Sequence, residues 1–151
     1  MTSSPSSEPI LPSRPRILVD HSLGRVAMPT FFREAGYETT TIQEMFGRTD
    51  VRDVDWITEA GKLGLVVAHK DARIRYRPAE RQAVLTAQLR MLCLTSGNMT
   101  AQEQVECFRE NLAAIEQWWP KPGPWILAVR RTGVEQLPLN DGSDSESALG
   151  N

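Results

Sequence analysis

Short apolar runs that alternate with stretches of helical periodicity constrain this chain more than any other feature. Arg16-Ile-Leu-Val-Asp20 is an apolar run ending in an acid and reads as a buried strand. Val26 to Ala35 reads as a helix, stopped by Gly36. Tyr37 to Ile42 is rich in β-branched residues and reads as a second strand. Asp53 to Lys62 carries Val54, Ile57 and Ala60 at helical spacing, and Gly64-Leu-Val-Val-Ala68 reads as a third, buried strand. Ala79 to Leu89 is expected to be helical and Arg90 to Leu94 to be a fourth strand. Thr100-Ala-Gln-Glu103 has the form of a capping box. After it, Val105, Phe108, Leu112, Ile115 and Trp119 mark the apolar stripe of a long helix. Pro120, Pro122 and Pro124 stop that helix, and Trp125-Ile-Leu-Ala-Val129 reads as the last strand. Trp118 and Trp119 are expected in the core and cap of the helix. Alternating strands and helices predict an α/β sandwich with a mainly parallel sheet, whose ligands gather at the carboxyl ends of the strands.

The length of 151 residues suits one domain, and 40% hydrophobic residues suffice for one core. Residues 1–15, rich in Ser and Pro, and 138–151, rich in Ser, Asp and Gly, read as loose tails around a domain at 16–137. A net charge of -2 excludes a uniformly basic nucleic-acid binder but leaves room for a local basic patch. Cys93 and Cys107, with only His21 and His69 to join them, make a structural zinc site an unpromising reading; both thiols are expected reduced and buried. No apolar stretch has the length of a membrane span, and MTSSPSSEP holds no apolar signal core, so the cytoplasm is the expected location.

The chemistry rests on acids. Asp20 follows the first strand and Asp71 follows the third, so a parallel sheet carries both to one edge. Asp53 and Asp55 open the helix leading into the third strand. Carboxylates are hard ligands suited to Mg²⁺ or Mn²⁺, and such an ion polarises a phosphoryl oxygen and acidifies an attacking water. The structural alternatives stand beside this: Asp53 or Asp55 as a helix N-cap, and Asp71 and Asp20 as turn residues.

Several segments together resemble the PIN-like superfamily, and within it VapC-type toxin ribonucleases with an extended C-terminal half. They are Leu18-Val-Asp-His-Ser-Leu-Gly24, Phe32-Arg-Glu-Ala-Gly-Tyr37, Asp53-Val-Asp-Trp-Ile57, Gly61-Lys-Leu-Gly-Leu-Val-Val67 and Lys70-Asp-Ala-Arg-Ile-Arg-Tyr-Arg-Pro-Ala-Glu-Arg81. The resemblance implies a three-layer α/β/α sandwich, a metal-dependent endoribonuclease and often the toxin of a toxin–antitoxin pair. The family's carboxylates map onto Asp20, Asp53 and Asp71, with Asp55 and Glu44 as further candidates. A homodimer that builds one longer RNA groove is also implied. The chain departs from the pattern at Asp20-His21-Ser22, where relatives often carry Asp-Glu-Asn, and at His69, where they often carry Thr. His69 reads either as a proton carrier or as a strand-end histidine with a structural hydrogen bond.

Lys70, Arg73, Arg75, Arg77 and Arg81, with Tyr76 among them, form the one strongly basic stretch. Arginines can grip phosphates and Tyr76 can stack on a base. Alternatively the segment is a solvated loop with Arg–Glu80 ion pairs, or a surface for the acids of an inhibitory partner. Two functions compete: a metal-dependent endoribonuclease silenced by an antitoxin, and a non-catalytic PIN-like module that binds RNA or protein. A phosphate receiver or nucleotide-binding domain ranks below both, because neither G-x-x-x-x-G-K-[ST] nor G-x-G-x-x-G occurs.

Overall fold

The computed structural model describes residues 14–139 except Ser96. The proposed tails therefore lie outside the described residues, apart from Arg14, Pro15, Pro138 and Leu139.

Among the described residues, six strands form one sheet. They are β1 (Ile17–Val19), β2 (Thr39–Thr41), β3 (Val66–His69), β4 (Arg90–Leu94), β5 (Trp125–Arg130) and β6 (Gly133–Leu137). The order is β2-β1-β3-β4-β5-β6, and only the β5–β6 pairing is antiparallel. β1 and β3 are buried throughout, as the inner strands of a sheet covered on both faces must be. β2, at the edge, is half-buried and consists of three threonines. The sequence reading ended at β5 and missed β6. The two strands are joined through Arg131 and Thr132, and Gly133 takes a φ of +141° that a side chain would resist. Without Asn-Gly or Asp-Gly, this turn leaves little signal in the sequence.

The described α-helices cover the sheet: α1 (Ala27–Glu34), α2 (Ile42–Phe46), α3 (Asp53–Leu63), α4 (Pro78–Ala87) and α5 (Ala101–Glu116). Successive residues of a strand point to opposite faces, and the two cores divide accordingly. Ile17, Val19, Val66, Leu92, Leu127 and Val129 meet α1 and α5, where Phe32 and Phe108 pack edge to face at 5.8 Å. Leu18, Val67, Met91, Cys93 and Ile126 meet Trp56, Ile57 and Ala60 of α3 and Val84 of α4. The three layers are those expected. Both cysteines are free and buried. Trp118 packs on Trp125, and Trp119 packs on Tyr37 while its Nε1 donates to the Tyr37 hydroxyl at 2.9 Å. No described helix is long and apolar enough to cross a membrane.

Helix ends follow local chemistry. Thr100 and Glu103 close the expected capping box on α5. Thr41 and Glu44 close a second one on α2, so Ile42 opens a helix instead of ending β2. Gly64 ends α3 in the left-handed conformation at φ +69°. Arg52 is the N-cap residue of α3, without a side-chain capping bond. Asp53 and Asp55 therefore lie within its first turn and are not its N-cap, where their charge suits the helix dipole.

Candidate active site

In the order β2-β1-β3, the chain turns in opposite directions from β1, and the crevice at such a switch point is where α/β sheets bind ligands. Asp20 and Asp71 both stand there. The Asp20 N–H donates to the Ala68 carbonyl at 2.9 Å, extending the β1–β3 pairing by one residue. Asp20 then opens a short 3₁₀ turn over His21–Leu23. Its carboxylate is almost fully buried and accepts from the Ser22 hydroxyl at 2.5 Å and from the Ser22 N–H at 3.2 Å. The same hydroxyl oxygen accepts the Lys70 N–H at 3.1 Å. Ser22 thus ties the end of β1 to the loop that carries Asp71.

Asp71 opens a second 3₁₀ turn, Ala72–Arg75, and accepts the Arg73 N–H at 3.0 Å. Burial works against its charge. The Arg73 N–H and the Arg77 and Arg73 guanidinium groups outweigh that and hold the carboxyl below the ordinary aspartate range. Arg77 Nη1 lies 2.9 Å from Asp71 Oδ2 and 3.5 Å from Asp53 Oδ2. Asp53 is further fixed by Trp56 Nε1, which donates to its other oxygen at 3.0 Å.

Two further candidates stand apart. Asp55 is two residues on from Asp53 and so on another helix face. It makes two bonds with Arg52, at 3.0 and 3.1 Å, which lower its carboxyl from the ordinary value. Glu44 serves the α2 capping box and pairs with Arg33 at 3.1 Å. With His21 it lines a separate pocket of about 190 Å³.

His69 is completely buried. Its Nδ1 accepts the Asp71 N–H at 3.2 Å, while Nε2 has no partner among the described residues. Burial pushes its pKa down to about 4 despite the opposing pull of Asp20 and Asp71. A ring neutral at pH 7 and bonded to backbone matches the structural reading of this residue better than that of a proton carrier.

Ser22, Lys70, Asp71 and Arg73 line an open pocket of about 420 Å³. Arg73 is largely exposed, and Tyr76 is 55% exposed. Arg75 lies over the Tyr76 ring at 4.3 Å and donates to the Pro138 carbonyl at 3.3 Å. Arg81 is half-buried on α4. Among the described residues, no arginine of this segment pairs with Glu80.

Oxygen donors of this kind suit a hard divalent cation. Among the described residues, however, no three His, Cys, Asp or Glu side chains come close enough to enclose one. Mg²⁺ typically takes one or two carboxylates and completes its shell with water and substrate phosphates. Asp20 and Asp71, beside a pocket open to solvent, fit that mode, with Arg77 standing against Asp71 and, more distantly, Asp53. Sequence reasoning missed two residues in their roles. Ser22 had registered only as a departure from a motif, and Arg77 only as one of five cations. The contacts that define them span 48 and 24 residues, beyond any local pattern.

The family model described as PIN like domain matches residues 15–96. Over 124 residues the chain is 35% identical to the Mycobacterium tuberculosis protein named "Putative ribonuclease VapC45", covering 80% of this chain and 90% of that relative. No solved structure matches the chain significantly.

Proposed function

The chain belongs to the PIN-like domain family, and we propose from that premise that it is a metal-dependent endoribonuclease, the toxin of a toxin–antitoxin pair acting in the cytoplasm. The observation that carries this reading is the position of Asp20 and Asp71 just past the ends of neighbouring strands β1 and β3 at the switch point of the sheet, their loops joined by Ser22 beside a pocket lined by Lys70 and Arg73. The name of the VapC45 relative supports the substrate class.

In this reading Asp20 and Asp71 hold Mg²⁺ or Mn²⁺, with Asp53 within reach of the same edge. When bound, the ion supplies Lewis acidity toward a phosphodiester oxygen and toward the attacking water. Lys70 and Arg73 hold the phosphates beside the two acids, Arg75, Arg77 and Arg81 extend the basic track, and exposed Tyr76 offers a stacking face to a base. Ser22 keeps the two carboxylates in register. His69, neutral and buried, orients the backbone of Asp71 and moves no proton. An antitoxin would present acids to the same basic segment and so cover the RNA groove. A homodimer would lengthen that groove.

One observation favours a second reading, the non-catalytic RNA- or protein-binding module: no three acids gather around one point among the described residues. The two readings separate on incubation with structured RNA. Cleavage that requires Mg²⁺ or Mn²⁺ and disappears in the Asp20→Asn, Asp71→Asn double variant supports the nuclease. Well-folded protein that binds several RNAs and cuts none supports the module.

A further inference from the structure

Each of the carboxylates Asp53 and Asp71 has one oxygen fixed by the scaffold. Trp56 Nε1 holds Asp53 Oδ1 at 3.0 Å, and the Arg73 N–H holds Asp71 Oδ1 at 3.0 Å. The remaining oxygen of each faces the same atom, Arg77 Nη1, at 3.5 and 2.9 Å. Arg77 thus holds the position between the two acids that a cation bound to both would take. Arg77 is also anchored by its backbone. It is the N-cap residue of α4, directly before Pro78, and its carbonyl accepts the Arg81 N–H at 2.8 Å. Its side chain is about one-third exposed, whereas that of Arg73, whose Nε lies 3.5 Å from Asp71, is 78% exposed. Among the described residues the Asp20 side chain has no arginine partner; it meets Ser22 and His21.

We propose that Arg77 is a built-in counter-cation that competes with the divalent ion for Asp71 and Asp53, so that it sets the metal affinity of the site. The inference rests on the metal-dependent reading given above. Two nearby carboxylates repel unless a cation sits between them. Arg77 supplies that cation from within the chain, and an incoming ion must displace it. The coupling is reciprocal: whatever Arg77 takes from metal affinity, bound metal takes from the hold on Arg77. The guanidinium so released stands at the edge of the basic segment, where a phosphate is its natural next partner.

The test is Mn²⁺ binding to the full chain without RNA, followed by calorimetry and by thermal unfolding. Arg77→Gln is expected to bind Mn²⁺ about tenfold more tightly than the native chain. It is also expected to unfold at a lower temperature without metal and to gain more from Mn²⁺. Arg52→Gln removes the same charge from the pair with Asp55 and is the control for overall charge. Arg77→Lys keeps the charge but loses the planar fork, and is expected between native and Arg77→Gln; it carries the test if Arg77→Gln does not fold. Unchanged or weaker binding in the Arg77 variants overturns the inference, as does equal tightening in Arg52→Gln. If no form binds Mn²⁺, the inference and the metal-dependent reading fail together. Tighter binding without RNA cleavage leaves the inference standing and removes only the nuclease.

Discussion

Replacing Ser22 by alanine removes one oxygen that serves two elements. The hydroxyl donates to Asp20 at 2.5 Å and accepts the Lys70 N–H at 3.1 Å. A hydrogen bond to a charged group contributes roughly 1.5–3 kcal/mol. The Lys70 N–H is solvent-accessible, so water replaces its lost partner at little cost. Asp20 keeps the Ser22 N–H at 3.2 Å, which softens the loss further. The expected destabilisation is therefore about 1–2 kcal/mol, read as a lowered urea midpoint with unchanged slope. Ser22→Asn, whose carboxamide can donate to Asp20 and accept from Lys70, should recover most of it. A double-mutant cycle with Asp20→Asn should show coupling of about 1 kcal/mol, and the same cycle with Asp55→Asn none. Metal affinity should fall with stability in Ser22→Ala, because the two loops carrying Asp20 and Asp71 lose their shared pin. A loss under about 0.5 kcal/mol with no coupling to Asp20 would refute the role given to Ser22.

Gly61→Ala sets two effects against each other. The helix gains about 1 kcal/mol in propensity, but the new Cβ would lie 2.4 Å from Ala87 Cβ and 3.0 Å from its carbonyl oxygen. Overpacking of about 1–3 kcal/mol then prevails, so thermal unfolding should show a destabilised variant; a stabilised one would contradict the close α3–α4 contact. Tyr37 donates to Glu116, and burial together with that bond raises its pKa to about 12 from 10.0. Its folded-state pKa is the higher, so its contribution is complete below pH 10 and lost as pH rises toward 12, by roughly 2 kcal/mol. Tyr37→Phe should lack this alkaline slope in unfolding experiments. Glu44→Gln and Asp55→Asn should each leave Mn²⁺ binding and the thermal midpoint essentially unchanged, since both acids sit in exposed ion pairs. Loss of metal binding in either would move the site.

Most of the fold was legible because its signals are local. Ile17–Val19 and the residues Val66, Val67 and Ala68 of β3 are apolar as inner strands require, Gly64 stops α3, and Thr100 with Glu103 caps α5. The Thr41–Glu44 capping box was equally present in the sequence and would have revealed α2, but the β-branched run before it drew Ile42 into the strand. Strand β6 carried no such signal; its pairing depends on β5 and on the backbone freedom of Gly133. For the site, the strand-end rule placed Asp20 and Asp71 at one edge. Spacing alone did not separate Asp53 from Asp55. The separation comes from partners, since Trp56 and Arg77 hold the first and Arg52 holds the second. Nor did the sequence reveal that Arg77 turns toward acids 6 and 24 residues before it.

In the proposed function, Asp20 and Asp71 together hold the ion that RNA cleavage requires. The most direct test of that role is the rate of cleavage of one RNA across a Mn²⁺ titration, for the native chain, Asp71→Asn and Asp55→Asn, with folding checked for each. Saturable, metal-dependent cleavage is expected in the native chain, the same curve in Asp55→Asn, and loss of cleavage at every Mn²⁺ concentration in Asp71→Asn. Undiminished cleavage in Asp71→Asn, or cleavage indifferent to metal, would contradict that role.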